Sequence, residues 1–261
     1  MRIALLADIH GNTIALEAVL ADISARGGTD AYWILGDLVA LGPDPVGVME
    51  RLTILPGLRL IRGNTDRYVV LGDRPSPTLQ EAGKDPRLLS SLVEVANTFA
   101  WTQGMITAAG WLEYLTGLSL ELQVTLPDGT RFLGVHASPG RDDGPGIVPE
   151  MKAEEIKGLF GDCDAKLVCM GHTHQPLDQQ WNGIHLVNPG AVSLSLTPDR
   201  NASYAILEAT KEGYHIQHHQ VAYDRSAVID QLNTIRHPGR EYLIRHLSGP
   251  TAEQGIPEQR S

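Results

Sequence analysis

Short runs rich in apolar residues recur along the first two thirds of the chain, and each is followed by a polar or glycine-containing turn. Runs of this length bounded by turns are typical of buried β-strands. Five of them fit the description, at residues 3–7, 31–35, 58–62, 132–135 and 167–170. The pattern therefore predicts five buried strands.

The segments between the first runs have helical periodicity. Apolar residues at positions 14, 15, 18, 19 and 23 share one helix face, and Gly27 and Gly28 end the pattern. A helix is therefore predicted from about residue 13 to 26, and Pro45 opens a second, shorter one. Alternation of strand and helix predicts an α/β protein with a largely parallel sheet core.

Residues 67–120 interrupt this alternation. Helices are predicted at 88–101 and 106–115, loosened by Gly104 and Gly110. Two interpretations stay open for the segment: extra helical packing at the sheet edge, or a cap that leans over the functional site and selects the substrate. We treat residues 1–247 as a single domain that carries 67–120 as a cap-like insertion.

The second half of the chain is richer in hairpins and loops. Alternating residues at 122–126, a Pro-Asp-Gly turn and a strand from Arg131 predict a hairpin, which adds an antiparallel part to the sheet. A glycine- and proline-rich loop over 137–149 has the length of a functional loop. A helix over 150–160 follows it. Further strands are predicted at 183–187, 202–207 and 214–218, and a disordered tail is predicted at 248–261.

The charge of the chain argues against several classes of partner. The formal net charge of −10 and the pI near 5.4 argue against binding to a nucleic-acid backbone or to an anionic membrane, because both favour a basic surface. The first apolar run is too short for a signal-peptide core, and no run approaches the length of a membrane span. The chain has only two cysteines, Cys163 and Cys169, and the second lies in an apolar run typical of the core. A disulfide is therefore not expected. We therefore expect a cytoplasmic protein.

Each of the five predicted buried strands is followed by a side chain that can bind a metal. The residues are Asp8, His10, Asp37, Asn64, His136, His172 and His174. In α/β sheets, ligands bind beyond the carboxyl ends of the strands, so residues far apart in sequence can meet there. Asp8 and His10 are expected to project to the same side, on an extended exit from the first strand.

Two carboxylates, one amide and four imidazoles suit a pair of divalent ions that share one carboxylate. Mixed nitrogen and oxygen donors favour transition metals over Ca²⁺ or Mg²⁺. We expect two divalent transition-metal ions, with Mn first and Fe, Ni or Zn as alternatives. Such a pair would activate a bridging hydroxide and bind a phosphate oxygen.

These motifs resemble those of the calcineurin-like metallophosphoesterase superfamily. The order Asp-x-His, Gly-Asp, Gly-Asn, a lone His and Gly-His-x-His runs from Asp8 to His174. Residues 62–66 and the Asn-Pro-Gly at 188–190 resemble its small prokaryotic phosphodiesterase branch. The resemblance implies an α/β four-layer αββα sandwich of two mixed β-sheets flanked by helices.

The resemblance also implies a division of the ligands. Asp8, His10, Asp37 and His174 would hold one ion, and Asp37, Asn64, His136 and His172 would hold the other. Asp37 would then bridge the two ions. Asp37, Asn64 and His10 are our candidate catalytic residues, and the reaction implied is hydrolysis of a small phosphodiester or nucleotide-type substrate.

Thr65 departs from the resembling enzymes, many of which have a histidine after the Gly-Asn pair. A Thr hydroxyl cannot act as an acid near neutral pH, so esters with good leaving groups are favoured unless His10 or a cap residue replaces the acid. Thr65, Arg67 and Arg141 are candidate substrate contacts, although an ion-pair or solvated role is as reasonable for each arginine. A phosphomonoesterase or nucleotidase and a non-catalytic scaffold of the same fold remain alternatives, and a homo-oligomer is left open.

Overall fold

Two five-stranded β-sheets carry the fold in this computed structural model, which describes residues 1–248. The tail predicted to be disordered lies almost entirely outside the described residues. In chain order the strands are β1 (Arg2–Leu6), β2 (Ala31–Leu35), β3 (Arg59–Ile61), β4 (Leu122–Thr125), β5 (Arg131–Gly134), β6 (Leu167–Cys169), β7 (Leu177–Trp181), β8 (Ile184–Asn188), β9 (Ala202–Ala209) and β10 (Tyr214–Val221).

Helices lie between and after the strands. They are α1 (Thr13–Ala25), α2 (Pro45–Thr53), α3 (Asn64–Leu71), α4 (Leu79–Lys84), α5 (Leu89–Ala108), α6 (Leu112–Thr116), α7 (Ala153–Phe160), α8 (Arg225–Thr234) and α9 (Arg240–Ser248). A 3₁₀ turn at Pro86–Leu88 precedes α5. Among the helices of residues 1–248, none combines the length and apolar character needed to cross a bilayer.

Both sheets are mixed, as the resemblance implied. The first has the order β10-β9-β1-β2-β3, with β1, β2 and β3 parallel and the two later strands antiparallel. The second has the order β4-β5-β6-β8-β7, in which β5, β6 and β8 are parallel. The predicted α/β class and the two mixed sheets are confirmed.

Strand β1 is apolar at every position from Ile3 to Leu6 because both of its faces are buried there. Ile3 and Leu5 pack into the core between the two sheets, whereas Ala4 and Leu6 pack into the core beneath the helices that cover the first sheet. A strand buried on both faces has no polar side to display. A third core, which includes Phe160 of α7, covers the outer face of the second sheet. The layers therefore run helix, sheet, sheet, helix.

The region 67–120 differs from its predicted secondary structure. Instead of two helices separated near Gly104, α5 runs unbroken from Leu89 to Ala108, and Gly104 lies inside it. A single glycine weakens a helix without ending it, and packing of Phe99 and Ile106 in the core offsets that loss. Elements α3, α4, β7, α8 and α9 were also not predicted.

Gly104 and Gly110 form a matched pair for a stability test. A Cβ atom at either position would meet no neighbour within 4 Å, but Gly110 has a φ of +79° and Gly104 is helical. We expect Gly104→Ala to raise the free energy of unfolding by about 0.5–1 kcal/mol. Gly110→Ala should lower it by about 1 kcal/mol, because a side chain disfavours left-handed backbone. Urea unfolding measures both, and equal effects would contradict this account.

Candidate metal centre

The seven predicted ligands lie together, at the carboxyl ends of strands from both sheets. Asp8, Asp37 and Asn64 follow β1, β2 and β3 of the first sheet. His136 follows β5, and His172 and His174 follow β6 of the second sheet. The site is therefore built across the two sheets rather than at the edge of one.

Left-handed backbone places most of these side chains. Positive φ angles between 49° and 71° occur at Asp8, His10, Asp37, His172 and His174. The extended exit predicted for Asp8 and His10 is thus wrong: the chain turns sharply at both residues. Such non-glycine conformations cost about 1–3 kcal/mol each and persist only where the surrounding structure enforces them. Here the Asp37 carbonyl enforces the turn by accepting hydrogen bonds from the N–H groups of Ile9 and His10, each at 2.9 Å.

One group of ligand atoms surrounds His10. Its Nε2 lies 3.1 Å from Nε2 of His174 and 3.6 Å from Oδ2 of Asp37. His174 Nε2 lies 3.6 Å from Oδ1 of Asp8. Ligand atoms of Asp8, His10 and His174 all fall within 4.8 Å of one another, which is a spacing that one ion could span.

A second group surrounds the Asn64 side chain. Asn64 Oδ1 lies 3.0 Å from Nε2 of His136 and 3.1 Å from Nδ1 of His172. His136 Nε2 is also 3.4 Å from Oδ1 of Asp37. Asp37 therefore faces the first group with one carboxylate oxygen and the second group with the other. Asp8 lies close to both groups, because its ligand atom is also within 4.8 Å of those of Asp37 and His136.

Backbone carbonyls fix the tautomer of all four imidazoles. Nδ1 atoms of three rings meet carbonyl oxygens: His10 at Ala40 (3.2 Å), His136 at Leu35 (2.7 Å) and His174 at Leu194 (2.8 Å). In His172 it is Nε2 that meets a carbonyl, that of Gly144, at 2.7 Å. A carbonyl can only accept, so each of these nitrogens carries the hydrogen. In its neutral form, each ring then presents its other nitrogen to the site without a hydrogen.

The nitrogens without a hydrogen provide a test of whether metal ions fit. The His10 and His174 lone pairs face each other at 3.1 Å, and those of His136 and His172 face the Asn64 oxygen. Acceptors at such distances repel unless a proton or a metal ion lies between them. A hydrogen bond from each ligand imidazole to a carbonyl is also the usual outer support of a metal site. The residues therefore fit divalent metal ions.

Burial governs the proton affinities of the metal-free side chains. Burial raises the pKa of Asp8 to about 6 and lowers the pKa of His10 to about 4. Burial also opposes protonation of His136, but the charge of Asp37 outweighs it and raises the pKa of His136 to about 10. Despite its burial, Asp37 has a pKa held well below its usual range by His136. A metal ion at the second group would compete with the proton on His136.

The profile of the calcineurin-like phosphoesterase superfamily domain matches residues 1–212. This chain belongs to that superfamily. The recognition made from the five motifs is confirmed.

The calcineurin-like chain is similar to several proteins over nearly its whole length. An uncharacterised protein of Methanocaldococcus jannaschii is 28% identical over 251 residues, which cover 90% of this chain and 93% of that protein. A metallophosphoesterase structure from Sphaerobacter thermophilus is 27% identical, with a TM-score of 0.72 and coverage of 95% of this chain and 98% of its own. A hypothetical protein of Pyrococcus horikoshii OT3, at 23% identity, shares the fold with a TM-score of 0.78 and covers 94% of this chain and 97% of its own.

A shorter likeness concerns an enzyme of known substrate. The symmetrical bis(5'-nucleosyl)-tetraphosphatase of Pectobacterium carotovorum is 37% identical over 67 residues. These residues cover 25% of this chain and 24% of that enzyme. The chain thus spans only about a quarter of the tetraphosphatase sequence.

Asp66 is an important residue of the site to which the sequence assigned no role. Its buried carboxylate accepts hydrogen bonds from the N–H groups of Asp37, Leu38 and Gly63, each at 2.9 Å. Burial and the charge of Asp37 raise the pKa of Asp66 to about 7, whereas the N–H donors favour its ionised form. The signal in the sequence was its place as the third residue of α3, where an acidic side chain can bond back to the helix start.

Asn188 supports the second sheet's contribution to the site in a similar way. Its Nδ2 donates to the carbonyl of Gly171 at 2.8 Å and to the Thr173 hydroxyl at 3.1 Å. Its Oδ1 accepts from the N–H of Gly190 at 2.8 Å. The Asn-Pro-Gly motif therefore holds the turn that carries His172 and His174.

The candidate substrate contacts have different surroundings. Arg67 pairs with Asp142 and Asp143, each at 3.1 Å, and with Asp73 at 3.2 Å. Its guanidinium would have to leave these partners to reach a phosphate. Arg141 is exposed beside a surface hollow that it lines with Arg62 and Asp142. Thr65 is buried directly next to the site, and its N–H donates to Oδ1 of Asp37 at 3.0 Å.

We expect Asp66→Asn to lower the free energy of unfolding of the metal-free protein by about 1–3 kcal/mol, because an amide NH₂ cannot accept from buried N–H groups. It should also weaken metal retention, since Asp37 loses its positioning. The control is Asp73→Asn, whose exposed ion pair with Arg67 should contribute under about 1 kcal/mol. Urea unfolding and elemental analysis check this, and indistinguishable variants would refute the role of Asp66.

Proposed function

We propose that this superfamily member hydrolyses small phosphodiesters or nucleotide-type substrates with two divalent transition-metal ions, Mn being favoured. Membership of the superfamily supports the coarser statement that the chain is a metal-dependent phosphoric ester hydrolase. The position of Asp37 carries the finer proposal. One carboxylate that faces two separate sets of nitrogen and oxygen donors is what a shared ligand requires.

The chain's own residues divide the work in this proposal. Asp8, His10 and His174 would hold one ion, Asn64, His136 and His172 would hold the other, and Asp37 would serve both. When bound, such ions supply Lewis acidity and a hydroxide nucleophile at neutral pH. The backbone carbonyls keep each imidazole oriented, so little reorganisation is needed during the reaction.

Diesters are favoured over alkyl monoesters because neither His10 nor Thr65 is free to act as a general acid. Both nitrogens of His10 are engaged, one by the Ala40 carbonyl and the other by the ligand cluster. Thr65 offers a hydroxyl that does not ionise near neutral pH. The non-catalytic scaffold is the weaker alternative, since all seven ligands are present and grouped.

The remaining proposals concern surroundings and partners. Cys163 and Cys169 are unpaired, which supports a reducing, cytoplasmic setting. We propose a small phosphate ester as the partner, with neither nucleic acid nor membrane involved. A homo-oligomer remains a proposal that sedimentation would decide.

Metal content tests the shared carboxylate. We expect close to two transition-metal ions per chain after reconstitution, and loss of both in Asp37→Ala, because this residue serves each group. The control is Asp230→Ala, an exposed residue of α8. Elemental analysis gives the stoichiometry, and full occupancy in Asp37→Ala would rule out the bridge.

Substrate preference tests the reaction class. We expect kcat/KM for bis(4-nitrophenyl) phosphate to exceed that for alkyl monoesters. Loss of a general acid lowers the rate roughly 10²–10⁴-fold, and the loss is largest for esters with poor leaving groups. Steady-state kinetics on both substrate types measures the ratio. A strong preference for alkyl monoesters would instead support the phosphomonoesterase alternative.

A further inference from the structure

A cavity of about 320 Å³ opens directly beside the metal centre. It lies between α3, α5 and α9, and its wall includes Asn64 and Thr65. Asn64 is the ligand whose oxygen meets His136 and His172, so the cavity is continuous with the candidate catalytic site. Its volume lies within the range of ligand pockets.

Aromatic and aliphatic side chains dominate the wall of this cavity. Tyr68 and Phe99 meet edge to face with ring centroids 5.8 Å apart, and Tyr242 is half-exposed. Among the wall residues in the described part of the chain, Glu94 alone carries a charge. The guanidinium of Arg74 lies 5.8 Å from the Phe99 ring centroid but does not line the cavity. The lining carboxylate therefore disfavours a phosphate group, and the cavity suits an uncharged group.

The Thr65 hydroxyl is a second observation that points to a ligand. The residue is only 7% exposed, and its Oγ1 has no hydrogen-bond partner within residues 1–248. Buried polar atoms of this kind are rare in folded proteins, and ligand binding is one way to satisfy them. Thr65 also borders the metal centre, since its N–H donates to Asp37.

We propose that this cavity receives a neutral planar ring, a nucleobase or an aryl group, that forms one arm of the phosphodiester. The phosphate then lies at the metal ions, and the ring packs against Tyr68, Phe99 and Tyr242. Thr65 bonds to the arm near its ester oxygen, and Glu94 accepts from ring N–H groups when the ring has them. The inference rests on the proposed phosphodiesterase function and names the arm that the enzyme selects.

Two adjacent serines of α5 allow a matched test by hydrolysis. Ser91 lines the cavity, whereas Ser90 does not, and both are exposed. Ser91→Trp should fill the cavity and lower kcat/KM for bis(4-nitrophenyl) phosphate roughly tenfold, about the effect of one lost ring-stacking contact. Ser90→Trp should stay within about twofold of the unmodified protein. Equal rates in the two variants would overturn the proposal.

A binding measurement separates this inference from the proposed function. Adenosine carries a ring but no phosphate, so calorimetry on the metal-free protein probes the cavity alone. We expect binding that survives in Ser90→Trp but is lost in Ser91→Trp. Phenol serves as a second probe, because it has a ring without N–H groups. Glu94→Gln should weaken the binding of adenosine but not that of phenol if Glu94 accepts hydrogen bonds from ring N–H groups. If the cavity takes a simple aryl arm, Glu94→Gln should weaken the binding of neither probe. Absence of binding by both probes would overturn the inference even if the protein hydrolyses diesters.

Discussion

The carboxylate of Asp66 is the constraint on which the metal centre most depends. It gathers N–H groups from the exit of β2 and from the start of α3, and so fixes Asp37 beside Asn64. The exit of β2 in turn holds the exit of β1, because the Asp37 carbonyl accepts from Ile9 and His10. Close approach is needed here: a Cβ atom on Gly63 would lie 2.0 Å from Oδ1 of Asp37. One buried carboxyl group therefore sets the geometry for ligands from three strands.

The same arrangement couples metal binding to folding. Asp8, Asp37 and His136 are fully or almost fully buried, and burial of unpaired charge is unfavourable. Left-handed turns at five ligand residues add further strain. Bound cations would offset both costs by interacting with the carboxylates and with neutral imidazoles. Folded protein and metal ions should therefore stabilise one another by mass action.

The cavity proposed to bind one arm of the substrate includes Asn64 in its wall. This cavity uses α3 and α5 from the 67–120 region together with α9 from the end of the described chain. The loop after β5 serves the site differently, through the Gly144 carbonyl on His172 and the buried Asp142, which pairs with Arg62 at 2.8 Å and with Arg67. Arg62 and Arg67 hold this loop against α3. Arginines beside the Gly-Asn motif can therefore have a structural role rather than a role in substrate binding.

The sequence by itself determined every described strand except β7, and it predicted the seven candidate ligands that the structure brings together. Apolar runs and the residue types that follow them are local features, and parallel strands bring their carboxyl ends together whatever the details. It also determined the α/β class, since alternation of strand and helix is visible in periodicity. It misjudged α5, because packing of Phe99 and Ile106 outweighs the weak local effect of Gly104.

The tertiary structure alone decided the left-handed turns, the tautomer of each imidazole, the role of Asp66 and the cavity. Each depends on groups distant in the chain, such as the Leu35 carbonyl for His136 and Tyr242, which lines the same cavity as Thr65. Hydrogen bonds and contacts between such positions leave no periodic trace in the sequence. They exist only once the two sheets and the helices around them have packed.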